Sequence, residues 1–232
     1  AAASLRTLDV GSLLKRMSTV RVSAADLEAL VKAVFVNHQV DPVIADCVAK
    51  ALIRAEADGI SSHGLARVPP YADQAMNGKV DGFAHPVLQR VAPAVINVDA
   101  ATGFAFPAID LGLEAAIEAV STAGMVAVGI RQSHHFGVAG HHVERLAEQG
   151  FLALAFSNTP AAIAPWGGRT PLYGTNPIAF ACPRPEQAPL VIDLSVSTVA
   201  RGKVVLAAKC GETIPTDWAL DVDGRPTADS QA

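Results

Sequence analysis

Cysteine, aromatic side chains and charge are all sparse in this 232-residue chain: three Cys, 5% aromatic residues and 17% charged residues. Cys47, Cys182 and Cys210 lie far apart with no CxxC pair. That excludes a disulfide framework and a zinc knuckle and fits a reducing cytoplasm. There is no surplus of positive charge: 18 Lys+Arg stand against 22 Asp+Glu, for a net charge of −4. A nucleic-acid partner is therefore not expected. No apolar run is long enough for a membrane span; Phe151–Phe156 is short and Met125–Ile130 ends at Arg131. The sequence also lacks GxGxxG, a Walker A lysine loop and a GxSxG elbow. These absences argue against a conventional Rossmann site, a P-loop and a serine hydrolase.

Half of the residues are hydrophobic, which excludes a disordered chain. The length suits one large domain, or a domain with a helical appendage. Residues 1–16 read as a leader or appended sequence ahead of Met17, without the apolar run of a signal peptide. From there to residue 80 the pattern is helical. Ser23 and Asp26 form a capping box before Leu27, Leu30, Val31 and Val34. Asp41-Pro42 opens a second helix carrying Ile44, Val48 and Leu52, and a third helical turn begins near Ser62, runs into Pro69-Pro70 and resumes until Asn77-Gly78. Residues 81–232 alternate strands with helices over Pro107–Ala123 and Val138–Gln149, so the class is α/β or α+β. The Gly- and Pro-rich stretch Thr159–Pro177 is too long for a simple connection and reads as a functional loop.

Three constellations could carry chemistry. On a helix opening at Ser62, His63 and Arg67 would be i and i+4 on one face. An arginine fork there could hold a carboxylate while the imidazole exchanges a proton with the next carbon's substituent. The same spacing also suits an ordinary helix start with a surface His and Arg. The second constellation, Ser133 to His142 (SHHFGVAGHH), sits between a strand and a helix, where glycine and a helix N-terminus favour ligands. Its four histidines invite a metal reading too, although the spacing is not HExxH and no acidic residue lies inside. The third joins Tyr173–Pro177 to Asp193, a lone acid ending an apolar strand. Asp193 either orients a histidine or a ligand hydroxyl, or caps the following helix.

Taken in order, SHGLARVPPY from Ser62, SHHFGVAGHH from Ser133, GTNPIAFACP from Gly174 and VIDLSVSTVARGKV from Val191 resemble the malate/L-lactate dehydrogenase family that does not use a Rossmann fold. The likeness runs from about Ser23 to the end of the chain and is strongest to the Δ1-piperideine-2-carboxylate/Δ1-pyrroline-2-carboxylate reductases. The resemblance implies a NAD(P)-dependent oxidoreductase, usually a homodimer, on a large, substantially antiparallel sheet flanked by helices. It implies His63 as proton donor/acceptor, with Ser62 and Asp193 in relay or orienting roles, and Arg67 as the grip on the substrate carboxylate. It implies cofactor contacts for His135, Phe136, Gly137, Thr159, Asp193, Leu194 and Ser195, and places Thr175 near substrate or nicotinamide. In ureidoglycolate dehydrogenases of the family the proton role falls on the residue matching His135, so His63 and His135 both stand as candidates. It weighs against a metal at the histidines.

The expected reaction is hydride transfer to C2 of a small cyclic 2-imino acid or related 2-oxo acid, with NADP or NAD as cofactor. A 2-hydroxy acid dehydrogenase is the alternative, and an inactive, shortened relative a second. The resemblance further implies a longer chain, with a Gly- and Lys-containing cofactor loop following Asp223–Pro226.

Overall fold

Local capping starts the first two helices where the sequence pattern places them. The computed structural model describes residues 21–231, so the expectation for residues 1–16 lies outside the described residues. Helix α1 (Ala24–Asn37) is capped by Ser23, whose hydroxyl accepts the Asp26 amide at 3.1 Å and donates to the Asp26 carboxylate at 2.6 Å. The Asp41 carboxylate accepts the Val43 and Ile44 amides at the head of α2 (Pro42–Ala57), with Pro42 in the first turn. Helix α3 (Val68–Met76) begins at Val68 with Pro69 and Pro70 in its first turn, where proline is tolerated. Val31, Phe35, Val48, Leu52 and Tyr71 from these helices form one core with Val80, Phe104 and Phe106. The helical part and the rest are thus packed together through the head of the next helix.

Strands β1 (Val87–Ala92) and β2 (Val95–Asp99) form an antiparallel hairpin. Helix α4 (Ala105–Ala123) crosses over to β3 (Ala127–Arg131), which runs parallel to β2. Gly112 lets α4 sit close on this sheet, because a Cβ there would lie 2.9 Å from Val128 Cγ1 and 3.3 Å from Val98 Cγ2. After β3 comes an extended passage through His134 and His135, then α5 (Ala139–Ala147). Strands β4 (Ala153–Phe156), β5 (Ile178–Arg184) and β6 (Gln187–Leu194) form a second, wholly antiparallel sheet. Its inner face is alanine-lined: Ala153, Ala179 and Ala181 pack on Ala139, Val143 and Ala147 of α5. Small side chains here bring helix and sheet close together.

Helix α6 (Arg201–Cys210) and the ribbon β7 (Ala219–Leu220) with β8 (Pro226–Thr227) complete the described chain. The mixed α/β class agrees with the sequence. Where a large sheet was expected, the described strands fall into two three-stranded sheets and a ribbon, four of five pairings being antiparallel. Helix α6 has no clear apolar stripe in sequence, and the strands of the ribbon are two residues each, too short to show alternation. Among the described residues no helix is long and apolar enough to cross a membrane.

Gly112→Val forces a branched side chain into the α4–sheet contact. The expected cost is about 1–3 kcal/mol of stability, read by urea denaturation. Wild-type stability would show that α4 is not seated there.

Candidate active site

The turn that carries His63 is built on Glu56. Its carboxylate accepts the Ser61 hydroxyl at 2.7 Å and the Leu65 amide at 2.9 Å. Gly64 is required above it, because a Cβ would lie 2.3 Å from Glu56 Oε2. This corrects the expected helix from Ser62. His63 stands in a turn, Leu65–Arg67 is a single 3-10 turn, and α3 starts only at Val68. The Glu56 clamp competes with helical backbone pairing, and the two prolines fix the later start. His63 and Arg67 still converge by a different route: Arg67 Nε donates to the Ser62 carbonyl at 2.7 Å. Ser62 Oγ lies 2.9 Å from His63 Nδ1, so Nε2 is the nitrogen with no hydrogen-bond partner among the described residues.

The β3–α5 passage brings the second histidine alongside, with the His63 and His135 rings 5.4 Å apart. Tyr71 of α3 reaches His135 Nδ1 with its hydroxyl at 2.7 Å, and the Gly137 amide donates to the same nitrogen at 3.1 Å. Gly137 has φ +74°, and a Cβ on it would meet the Phe106 ring at 2.9 Å. Asp193, at the end of β6, accepts the Gly140 amide at 2.7 Å. Its carboxylate therefore caps α5 from a distant strand, because Gly140 is the second residue of that helix. Its charge also reaches His63. This corrects the expected cap: the following helix α6, headed by Ala200, has no side-chain cap bond, and Asp193 caps the earlier α5 instead, reaching His63 only through its charge.

Thr159 and Thr175 meet at 3.1 Å between hydroxyls, and Thr159 Oγ1 accepts the Thr175 amide at 2.8 Å. Gly174 permits this, because a Cβ would lie 2.2 Å from the Thr159 carbonyl. The Thr175 carbonyl then accepts the Val196 amide at 3.0 Å, which ties this loop to the turn after Asp193. In that turn the Ser195 hydroxyl bonds the Ser197 hydroxyl and accepts the Ser197 amide at 3.1 Å.

The Phe136 and Leu194 side chains lie apart from this set. The Phe136 ring stacks on His142 at 5.8 Å, with its carbonyl accepting His142 Nε2. Leu194 pairs in register with Ile178, on the sheet face opposite Asp193. His141 pairs with Asp58 at 2.8 Å. Among the described residues no three side chains of metal-ligating type come together.

Two residues at the site carried no signal singled out from the sequence. Tyr71 falls four residues after Arg67, where its apolar, in-pattern position reads simply as core. Gly202, near the head of α6, faces Ser62 and Arg67: a Cβ there would be 3.4 Å from Ser62 Cβ and 3.7 Å from an Arg67 terminal nitrogen. Only the fold brings that glycine near.

A sequence model described as malate/L-lactate dehydrogenase matches residues 22–232. The chain belongs to the malate/L-lactate dehydrogenase family. It is 56% identical over 211 residues to the (2R)-3-sulfolactate dehydrogenase (NADP(+)) of Chromohalobacter salexigens, covering 91% of this chain and 63% of that protein. It is 40% identical over 215 residues to the Δ1-pyrroline-2-carboxylate/Δ1-piperideine-2-carboxylate reductase of Pseudomonas putida, covering 93% and 63%. Among solved structures, the Δ1-piperideine-2-carboxylate reductase of Pseudomonas syringae superposes with a TM-score of 0.88 at 41% identity, over 92% of this chain and 64% of that one. The chain thus spans just under two thirds of the length of these family members.

Burial holds the family histidines neutral. His63 is pushed down to about 4 by burial and then by Arg67, with Asp193 pulling the other way. His134 is also lowered to about 4 and His135 to about 3, each mainly by burial. The unfolded chain, with histidines near 6.5, therefore takes up protons first. Stability is expected to be fully present above pH 6.5, to fall as pH drops from 6.5 through 4, and to level off below about 3. Urea midpoints at pH 7 and pH 4.5 check this; equal midpoints would contradict the burial of these rings.

Proposed function

We propose that this chain carries the substrate site of an oxidoreductase that moves hydride between NADP or NAD and C2 of a small carboxylate. The observation that carries the reading is the convergence of Arg67, His63 and His135, with Asp193 acting on His63 from β6. A guanidinium beside a neutral imidazole suits a substrate with a carboxylate next to a reacting C=N or C=O. In this reading residues 17–80 present His63 and Arg67, and residues 81–232 form the dinucleotide part. That part would belong to the non-Rossmann, largely antiparallel sheet of the family.

The residues present fit a dinucleotide. Gly137 and Gly174 let the two loops close on Phe106 and on Thr159, and the Thr159, Thr175 and Ser195 hydroxyls, all able to bond ribose or phosphate oxygens, lie in the same connected set of loops. His135, Phe136 and Gly137, Thr159, and the Asp193-Leu194-Ser195 turn would hold it, Phe136 and Leu194 through their backbone. When bound, the nicotinamide supplies or accepts the hydride at substrate C2. Arg67 holds the carboxylate through the guanidinium nitrogens not used on Ser62. With Nδ1 engaged by Ser62, neutral His63 takes the proton at Nε2 in the oxidising direction; in the reducing direction it first takes up a solvent proton and then gives it from Nε2 to the imine nitrogen or the C2 oxygen. Asp193 favours the charged imidazole and so eases the uptake of that proton by His63.

For the substrate, cyclic 2-imino acids such as Δ1-piperideine-2-carboxylate are the first reading, in keeping with the reductases at 40–41% identity. A 2-hydroxy acid is the second, favoured by the sulfolactate dehydrogenase at 56% identity. A homodimer in the cytoplasm completes the proposal, on the family resemblance and the scattered cysteines.

The test is a panel of cyclic imines, 2-oxo acids, malate, lactate and 3-sulfolactate with NADPH or NADH, or the oxidised cofactors for the hydroxy acids. Turnover of one class and not the other decides the substrate; no turnover with either sinks the proposal. With a substrate in hand, Arg67→Ala is expected to raise KM about 10- to 100-fold, the worth of one or two charge-assisted hydrogen bonds. His63→Ala should lower kcat roughly 10²- to 10⁴-fold with cofactor affinity nearly unchanged. Wild-type kinetics in either variant would remove that residue's role.

A further inference from the structure

Tyr71 is 2% exposed, yet its hydroxyl is spent on one atom, His135 Nδ1. The Gly137 amide donates to that atom as well. An amide N–H can only donate, so Nδ1 presents its lone pair, and the phenol sharing that lone pair must donate too. We propose that Tyr71 is a positioning residue that, together with the Gly137 amide, locks His135 as the neutral imidazole protonated at Nε2. His135 is then a fixed hydrogen-bond donor to a ligand oxygen, and proton exchange belongs to His63. The proposal rests on the hydride-transfer reading above and divides the labour between the two histidines.

The surroundings hold this arrangement in place. The Tyr71 ring packs edge-on against His134, with centroids 4.6 Å apart. His134 is itself anchored by Gln74 of the same helix, its Nε2 lying 2.5 Å from Gln74 Oε1. The phenol cannot swing away from His135 without disturbing that packing. Burial raises the Tyr71 hydroxyl well above its ordinary range, so it keeps the proton it donates. The charged and titratable groups acting on His135 are Arg67 and His63 from the preceding turn and His134 beside it. All three oppose a positive charge on His135. Protonation at Nδ1 would in addition set a third hydrogen against two donors. Neutral His135 therefore has one hydrogen to offer, on Nε2.

The test is the histidine nitrogen spectrum of the ¹⁵N-labelled full chain, with His135 assigned by its loss in His135→Gln. The expected result from pH 5 to 8 is a pyridine-type Nδ1 and a pyrrole-type Nε2 at His135. A proton on Nδ1, or an imidazolium in that range, overturns the proposal, and this measurement needs no other variant to fold. In Tyr71→Phe the protonation midpoint of His135 should rise by about one unit, the size of one lost hydrogen bond. kcat should fall about tenfold with substrate KM within about threefold, and a new inflection should appear in the pH profile. A wild-type midpoint in Tyr71→Phe also overturns it. If no substrate class is turned over, the hydride-transfer reading fails, while the nitrogen spectrum still decides the role of Tyr71.

Discussion

The bond between the Asp193 carboxylate and the Gly140 amide is where fold and site meet. It runs from the end of β6 to the first turn of α5, a helix that Val138 does not cap with its own side chain. The capping acid therefore comes from 53 residues further along the chain. The passage through His134 to Gly137 leads directly into that helix start, so the position of His135 depends on a strand of the second sheet. The same carboxylate acts on His63 from a distance. One carboxylate thus satisfies a backbone donor, ties two layers together and partly offsets what burial and Arg67 do to an imidazole. Gly140 is the condition for it: a Cβ there would sit 3.2 Å from both Asp193 Cβ and Oδ2.

Much of this was legible in the chain because the relevant signals are local. Ser23 and Asp41 act where their side chains can reach the next turn, and both do so as their spacing implies. The motif residues Ser62, His63, Arg67, Asp193, Thr159 and Thr175 also fall into one connected neighbourhood. What local reasoning misplaced was the manner of their meeting. Arg67 reaches His63's turn by bonding the Ser62 carbonyl, and no helical period encodes the Glu56 clamp that makes the turn. Phe136 and Leu194 show the complementary limit. Their positions adjoin Asp193 and His135, but alternation along a strand, or a ring stacked on His142, turns the side chain away. Tyr71 looks like core and is core; its second use is visible only once His135 is placed against it.

The scarcity of large aromatics has a structural counterpart. Alanine on α5 meets alanine on β4 and β5, and glycine on α4 meets valine on the first sheet. Interfaces made from such small groups gain little from any one side chain and depend on close backbone approach over their whole length. That suits a site whose parts come from separate layers, because rigid layers in close contact hold their loops at fixed separations.

Gly112, Val98 and Val128 share one small volume. None of the three positions is free to drift alone: a methyl added to α4 must be removed from β2 or β3. Accepted substitutions at these sites should therefore come as compensated sets across relatives. Size would be traded between helix and sheet while the sum stays constant.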